Sequence, residues 1–163
     1  FNGICTFQCV ESFSNTYPDQ LAHACSLASV VVGRHDSIEE IADSAYIAAK
    51  VLNTGFDLFE SPVEAAKNGA ERYRTIGVGI MGLHDWLAKN QTGYHDHDAI
   101  RDVAEAIAYG AVNASIDIDY VYPAFRGSMW DTGEMIEQFK KYQSGLTILW
   151  RMPSRCQRMT RKN

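Results

Sequence analysis

The segment Tyr73 to Leu87, YRTIGVGIMGLHDWL, constrains the fold of this chain more than any other, because its three glycines widen what the backbone can do. Gly77, Gly79 and Gly82 satisfy G-x-G-x-x-G, the pattern of a strand turning tightly into a helix whose N-terminus takes a pyrophosphate. The residues before them, Ala70 to Arg74, are polar and helix-tolerant, unlike the apolar β-branched run of a buried parallel strand. Glycines that let two backbones pack closely are therefore the favoured reading. A dinucleotide-binding module built on Gly77, Gly79 and Gly82 is the alternative.

Around this segment the middle of the chain reads as helix. Ser37 and Glu40 form a capping box, and Ile38, Ile41, Ala45, Ala48, Leu52 and Phe56 follow at spacings of three and four, with Gly55 weakening the end. Ser61, Pro62 and Glu64 supply an N-cap, a first-turn proline and a second capping box, which predicts a short helix to near Gly69. Another helix is predicted from about Gly79 to before Gly93. A fourth, capped at about Asp98, places Ile100, Val103, Ile107, Ala111, Ala114 and Ile118 on one face and ends before Pro123. Only Ser26 to Val32, SLASVVV, has the short β-branched apolar character of a fully buried strand. The expected class is α/β, mainly helical, with one or few buried strands.

A chain of 163 residues, 46% hydrophobic and 21% charged, has room for one core and one domain. No apolar run approaches the roughly 18 residues of a membrane span, and no basic-then-apolar N-terminal signal is present, so a cytoplasmic protein is expected. Cys5, Cys9, Cys25 and Cys156 form no C-x-x-C pair and no zinc-like spacing, which points to reduced thiols with individual roles. The net charge of -5 argues against nucleic acid as a partner. After Glu137, however, only basic charges remain, from Lys140 to Lys162. Leu146 to Asn163 lacks helical period or strand alternation, and is expected to be a poorly ordered basic tail, solvated or outside the frame of the rest.

Two groups of residues carry possible chemistry. His84, Asp85, His95, Asp96, His97 and Asp98 contain an H-x-H spacing that suits a divalent ion. The loop after Gly93 explains them better as solvated residues with a helix cap, and no metal is assigned. Cys9-Val10-Glu11 sets a thiol and a carboxylate two positions apart, which in extended backbone project to one side. In isolation, an inert buried cysteine beside a solvated glutamate is the favoured reading of that pair.

Context comes from longer strings. Tyr73 to Leu83 resembles the Tyr-Arg-x-Ile-Gly-x-Gly-x-Met-Gly-Leu signature of ribonucleotide reductase large, catalytic subunits. Cys9-Val10-Glu11 resembles the second half of that family's Asn-Leu-Cys-x-Glu, and Cys25-Ser26-Leu27-Ala28-Ser29 its downstream Cys-x-Leu-x-Ser strand. Leu52-Asn53 with Asp57 is similar to Leu-Asp-Asn-x-x-Asp, and Tyr122 to Ser128 to Tyr-Pro-x-Phe-x-Gly-Ser. The resemblance runs from Cys9 to about Gly133, and residues 9–145 are expected to be part of the family's α/β barrel.

It departs at Ala114 to Tyr122, which is short of a basic, glycine-containing turn, and at Phe7-Gln8, where the family has Asn-Leu. Asn2-Gly3-Ile4-Cys5-Thr6-Phe7-Gln8 before Cys9 resembles the C-terminal junction of an intein, whose terminal amide cyclises while the next thiol accepts the upstream acyl group. Residues 1–8 are on that reading an intein remnant, and excision would join an upstream Asn-Leu to Cys9.

The resemblance implies reduction of ribonucleoside di- or triphosphates to 2′-deoxyribonucleotides for DNA synthesis. Cys9 is then the thiyl-radical residue, Glu11 the general base at the 3′-hydroxyl, and Cys25 one of two reducing thiols, the other lying outside this chain. It also implies a radical from a metal-containing small subunit (class I) or from adenosylcobalamin (class II). Thioredoxin or glutaredoxin would be the reductant, and the complete enzyme a large-subunit homodimer. This piece alone is expected to be inactive. A non-catalytic helical interaction domain is the remaining alternative.

Overall fold

The computed structural model describes residues 20–118 and, for the backbone, 3–6 and 13–16. The elements run β1 (Gly3–Thr6), β2 (Phe13–Thr16), β3 (Cys25–Val31), a 3-10 turn at Val32–Arg34, α1 (Ile38–Asp57), α2 (Glu64–Tyr73), β4 (Thr75–Met81), α3 (Leu83–Lys89) and α4 (His97–Asp117). β1 and β2 form an antiparallel ladder from Gly3↔Thr16 to Thr6↔Phe13. β3 and β4 form a parallel one, from Cys25↔Thr75 to Val31↔Met81. The chain is thus mixed α/β and mainly helical, as its sequence predicts.

Helices cover one face of the parallel pair. Because side chains alternate along a strand, Ala28, Val30, Val78 and Ile80 share one face; Val30 is buried and Val78 packs against the core. That core joins Val30 and Val32 to Ile41, Ala42 and Ala45 of α1, Trp86 and Leu87 of α3, and Val103, Ala106 and Ile107 of α4. α1 and α4 approach so closely at Gly110 that a Cβ there would stand 2.1 Å from the Ala42 carbonyl oxygen and 2.9 Å from the Ala45 Cβ. Small residues at this crossing are a steric requirement.

α1 begins where its sequence predicts. The Ser37 hydroxyl accepts the Glu40 amide at 3.2 Å, while the Glu40 carboxylate accepts the Asp36 amide, one residue ahead of the cap, at 2.8 Å. The helix then passes through Gly55, whose side-chain position is open space, to Asp57.

Four expectations are corrected. β3 is not fully buried: of its residues only Val30 is buried, while Leu27 and Val31 on the other face are exposed, because helices pack on one side of the pair. Residues 75–81 are a strand, and the helix predicted from about Gly79 starts only at Leu83, after Gly82 with φ 72°. Ile76, Val78 and Ile80 do alternate, but glycines at two of the intervening positions disguise a period of two. The chain therefore contains a second parallel strand where helix was expected. Ser61 does not cap a helix: its hydroxyl accepts the Val63 amide at 3.1 Å, and α2 starts at Glu64 and continues past Gly69 to Tyr73. Gly69 fits there because the Ala22 carbonyl oxygen lies 1.6 Å from where its Cβ would be. Finally, Asp96, not Asp98, caps α4, accepting the Ala99 amide at 3.0 Å. Cys9, Glu11, the Tyr122 to Ser128 turn and the basic tail lie outside the described residues.

Candidate active site

Cys25 is the first residue of β3, half-buried, with its thiol directed to the Ser26 carbonyl oxygen at 3.8 Å. The pleat places it with Leu27, Ser29 and Val31 on the face away from the helices, where Leu27 is 59% exposed. Their register partners are Thr75, Gly77, Gly79 and Met81. Among the described residues this face is open, with Cys25 and Thr75 at its head and two side-chain-free positions, Gly77 and Gly79, beside Leu27 and Ser29.

The glycines seat against β3. A Cβ on Gly77 would stand 2.6 Å from Leu27 Cδ2, and one on Gly79 3.0 Å from Ser29 Oγ. Both belong to the ladder, whereas the tight turn falls at Gly82, so neither forms a phosphate-binding turn; their nearest neighbours are the Leu27 and Ser29 side chains, not the closely packed backbone expected of them. Of the predicted catalytic residues, Cys25 is placed on this face. Cys9 and Glu11 fall in the sequence joining β1 to β2, outside the described residues.

The head of the face is held by residues whose contacts were not foreseen. α2 ends at Arg74, whose φ of 44° and ψ of 44° are left-handed, and whose amide donates to the Ala70 carbonyl at 2.9 Å. β4 starts at the next residue. The Arg74 guanidinium donates to Asn53 Oδ1 at 3.0 Å and to the Asn53 carbonyl at 2.6 Å, and pairs with Asp57 at 2.9 Å. It also lies over the Phe56 ring. Arg74 is 10% exposed and Asp57 45%, so the two bonds to Asn53 contribute more than the partly solvated ion pair. Arg74, Asn53 and Asp57 each lie in a recognised string, but no pattern in sequence shows that strings 21 residues apart meet.

At the other end of the ladder, Lys89 donates to the His35 carbonyl at 2.8 Å and pairs with Asp36, fastening α3 to the loop before α1. The Lys89 ammonium holds the Asp36 carboxyl below the usual carboxylate range. The histidine-rich segment has structural contacts of its own: the His84 and Tyr94 rings stack, with centroids 6.1 Å apart, and Thr92 donates to Asp96 at 2.9 Å. Bonds from the Ala99 amide and then the Thr92 hydroxyl lower the Asp96 pKa. Among the described residues, no three His, Cys, Asp or Glu side chains gather as a metal site, and no helix is long and apolar enough to cross a membrane.

A two-stranded parallel sheet with helices on one face, and with Cys25 at the head of the other, defines among the described residues a fragment of the α/β class. The chain matches the ribonucleotide reductase barrel domain over residues 4–161, and it belongs to that family, one of oxidoreductases that make deoxyribonucleotides. It is 40% identical over 131 residues to the ribonucleoside-diphosphate reductase subunit alpha of Synechocystis sp., an alignment covering 78% of this chain and 17% of that protein. It is 30% identical over 140 residues to the subunit alpha of Chlamydia muridarum, covering 79% and 13%. With the large subunit of Caenorhabditis elegans identity is 29% over 143 residues, covering 80% and 18%. The chain spans less than a fifth of the length of each of these relatives.

Proposed function

We propose that this chain is the part of a cytoplasmic ribonucleotide reductase large subunit that carries the radical cysteine, its general base and one reducing thiol. The observation that carries the reading is Cys25 at the head of an open sheet face, in a chain matching the reductase barrel domain over most of its length. The substrate is a ribonucleoside di- or triphosphate. A metal centre in a small subunit, or adenosylcobalamin, supplies the oxidising equivalent that makes the Cys9 thiol a thiyl radical.

Cys9 removes the 3′-hydrogen of the ribose, and Glu11 takes the 3′-hydroxyl proton. A carboxylate suits that task because a closed site raises its pKa toward neutrality. The 2′-hydroxyl leaves as water, with Cys25 and a second thiol of the complete enzyme supplying two electrons and two protons as they join in a disulfide. Cys9 then returns its hydrogen to C3′. Thioredoxin or glutaredoxin reopens the disulfide, and the complete large subunit works as a homodimer beside its radical-generating partner.

The test is made in a complete large subunit containing this sequence. Cys9→Ser should abolish deoxyribonucleotide formation, and near-wild-type turnover would overturn the assignment. Cys25→Ser should block repeated turnover, because only one of the two reducing thiols remains.

We infer also that residues 1–8 are the end of an intein. Asn2-Gly3 and a terminal amide, Gln8, directly before the nucleophilic Cys9 support this. The antiparallel pairing of β1 with β2 means that such a remnant would share a ladder with the sequence it leaves. Mass spectrometry of the product expressed from the intact gene decides: a mature subunit with Asn-Leu joined to Cys9 is expected, and retention of Phe7-Gln8 overturns the inference.

A further inference from the structure

We propose that Arg74 is a positioning residue for the Cys25 thiol, acting by fixing the first rung of the β3/β4 ladder against the end of α1. The proposal rests on the reading of Cys25 as a reducing thiol. Arg74 is the single residue between α2 and β4, so no connecting loop absorbs a displacement. The next residue, Thr75, is the register partner of Cys25. Any change in the backbone at Arg74 is therefore passed to the rung on which the thiol stands.

Two features separate this role from ordinary helix capping. A left-handed C-terminal position is usually glycine, because a side chain is strained there. Here the position carries an arginine whose guanidinium bonds to Asn53 and Asp57 and covers the Phe56 ring. The side chain thus links the end of α1, the helix packed behind β3, to the head of the β4 strand. Second, the guanidinium is 10% exposed and engaged with α1, which makes it a tether and not a contact for substrate phosphate.

The proposal predicts that the tether and the thiol are functionally coupled. In the complete large subunit, Arg74→Gln should lower kcat about tenfold with KM for the nucleotide unchanged. It should also shift the pH profile for alkylation of Cys25 by iodoacetamide, read by mass spectrometry. Arg74→Lys, which keeps one charged donor, should restore part of both. Should Arg74→Gln fail to fold, Asp57→Ala at the half-exposed partner is the milder variant, with a smaller shift of the same kind. An unchanged alkylation profile and kcat in a folded Arg74→Gln protein would overturn the proposal, as would a normal profile in Asp57→Ala. Cys25→Ser is assayed in parallel: if it retains turnover, the reducing-thiol reading fails, while the alkylation profile still decides whether Arg74 sets the position of the thiol.

Discussion

At Arg74 a side chain's contacts outweigh its backbone strain, and the balance can be measured. Left-handed backbone costs an L-residue roughly 1–2 kcal/mol relative to glycine, while hydrogen bonds from a charged group are worth about 1.5–3 kcal/mol each. Arg74→Ala keeps the strain and loses the bonds, so a loss of about 2–4 kcal/mol is expected in urea denaturation. Arg74→Gly should lose about 1 kcal/mol less. Equal losses would show that φ at this residue is not a cost. Asp96 gives a pH-dependent case. Its folded pKa is lowered, so its cap is stabilising above the unfolded carboxylate value of about 4 and is lost as pH falls through the folded value. Protection of the Ala99 amide, taken relative to its intrinsic exchange rate at each pH, should fall over that acid window. Asp96→Asn, which still accepts a hydrogen bond, should flatten the dependence.

Among the elements, α1 and the apolar face of α4 are legible from one strong helical period each, with Ser37 marking the start of α1, and β3 is legible from its run of β-branched residues, which does not show that one of its faces is open. β4 is not, because a glycine contributes nothing to a hydrophobic pattern, and Gly77 and Gly79 leave only Ile76, Val78 and Ile80 to show alternation. The start of α2 was misread because local hydroxyl chemistry at Ser61 serves a turn as readily as a cap. The thiol of the candidate site could be read from a family string, but the Asn53, Asp57 and Arg74 contacts depend on how α1 and β4 meet in space. Glycines in different elements should also respond differently to substitution. Gly110→Ala drives a Cβ into the Ala42 backbone and should cost at least about 1–3 kcal/mol. Gly77→Ala meets only the end of the exposed Leu27 side chain, so its effect on the melting temperature should be small. If Gly77→Ala nonetheless lowers turnover in the complete enzyme, the glycine serves what rests on the open face.

For the molecule as a whole, β3 and β4 pair with each other and with no further strand among the described residues, so each presents an unpaired edge. Leu27, Val31 and Met81 add exposed apolar surface beside those edges. The chain prepared alone should associate as concentration rises, which light scattering will register, because sheet edges and apolar patches pair with other copies. A dilution series that stays monomeric would mean that another part of the chain covers them. The helix-to-strand junction at Arg74 also determines where the gene can accept extra codons. One codon inserted between Arg74 and Thr75 would force β4 to slip by a residue, turning Ile76, Val78 and Ile80 to the open face and the two glycines toward the core. The stretch from Leu58 to Val63, exposed except at half-buried Ser61 and outside both neighbouring helices, has no such register to keep. Length variation in related genes should therefore gather between α1 and α2 and be missing at the boundary between α2 and β4.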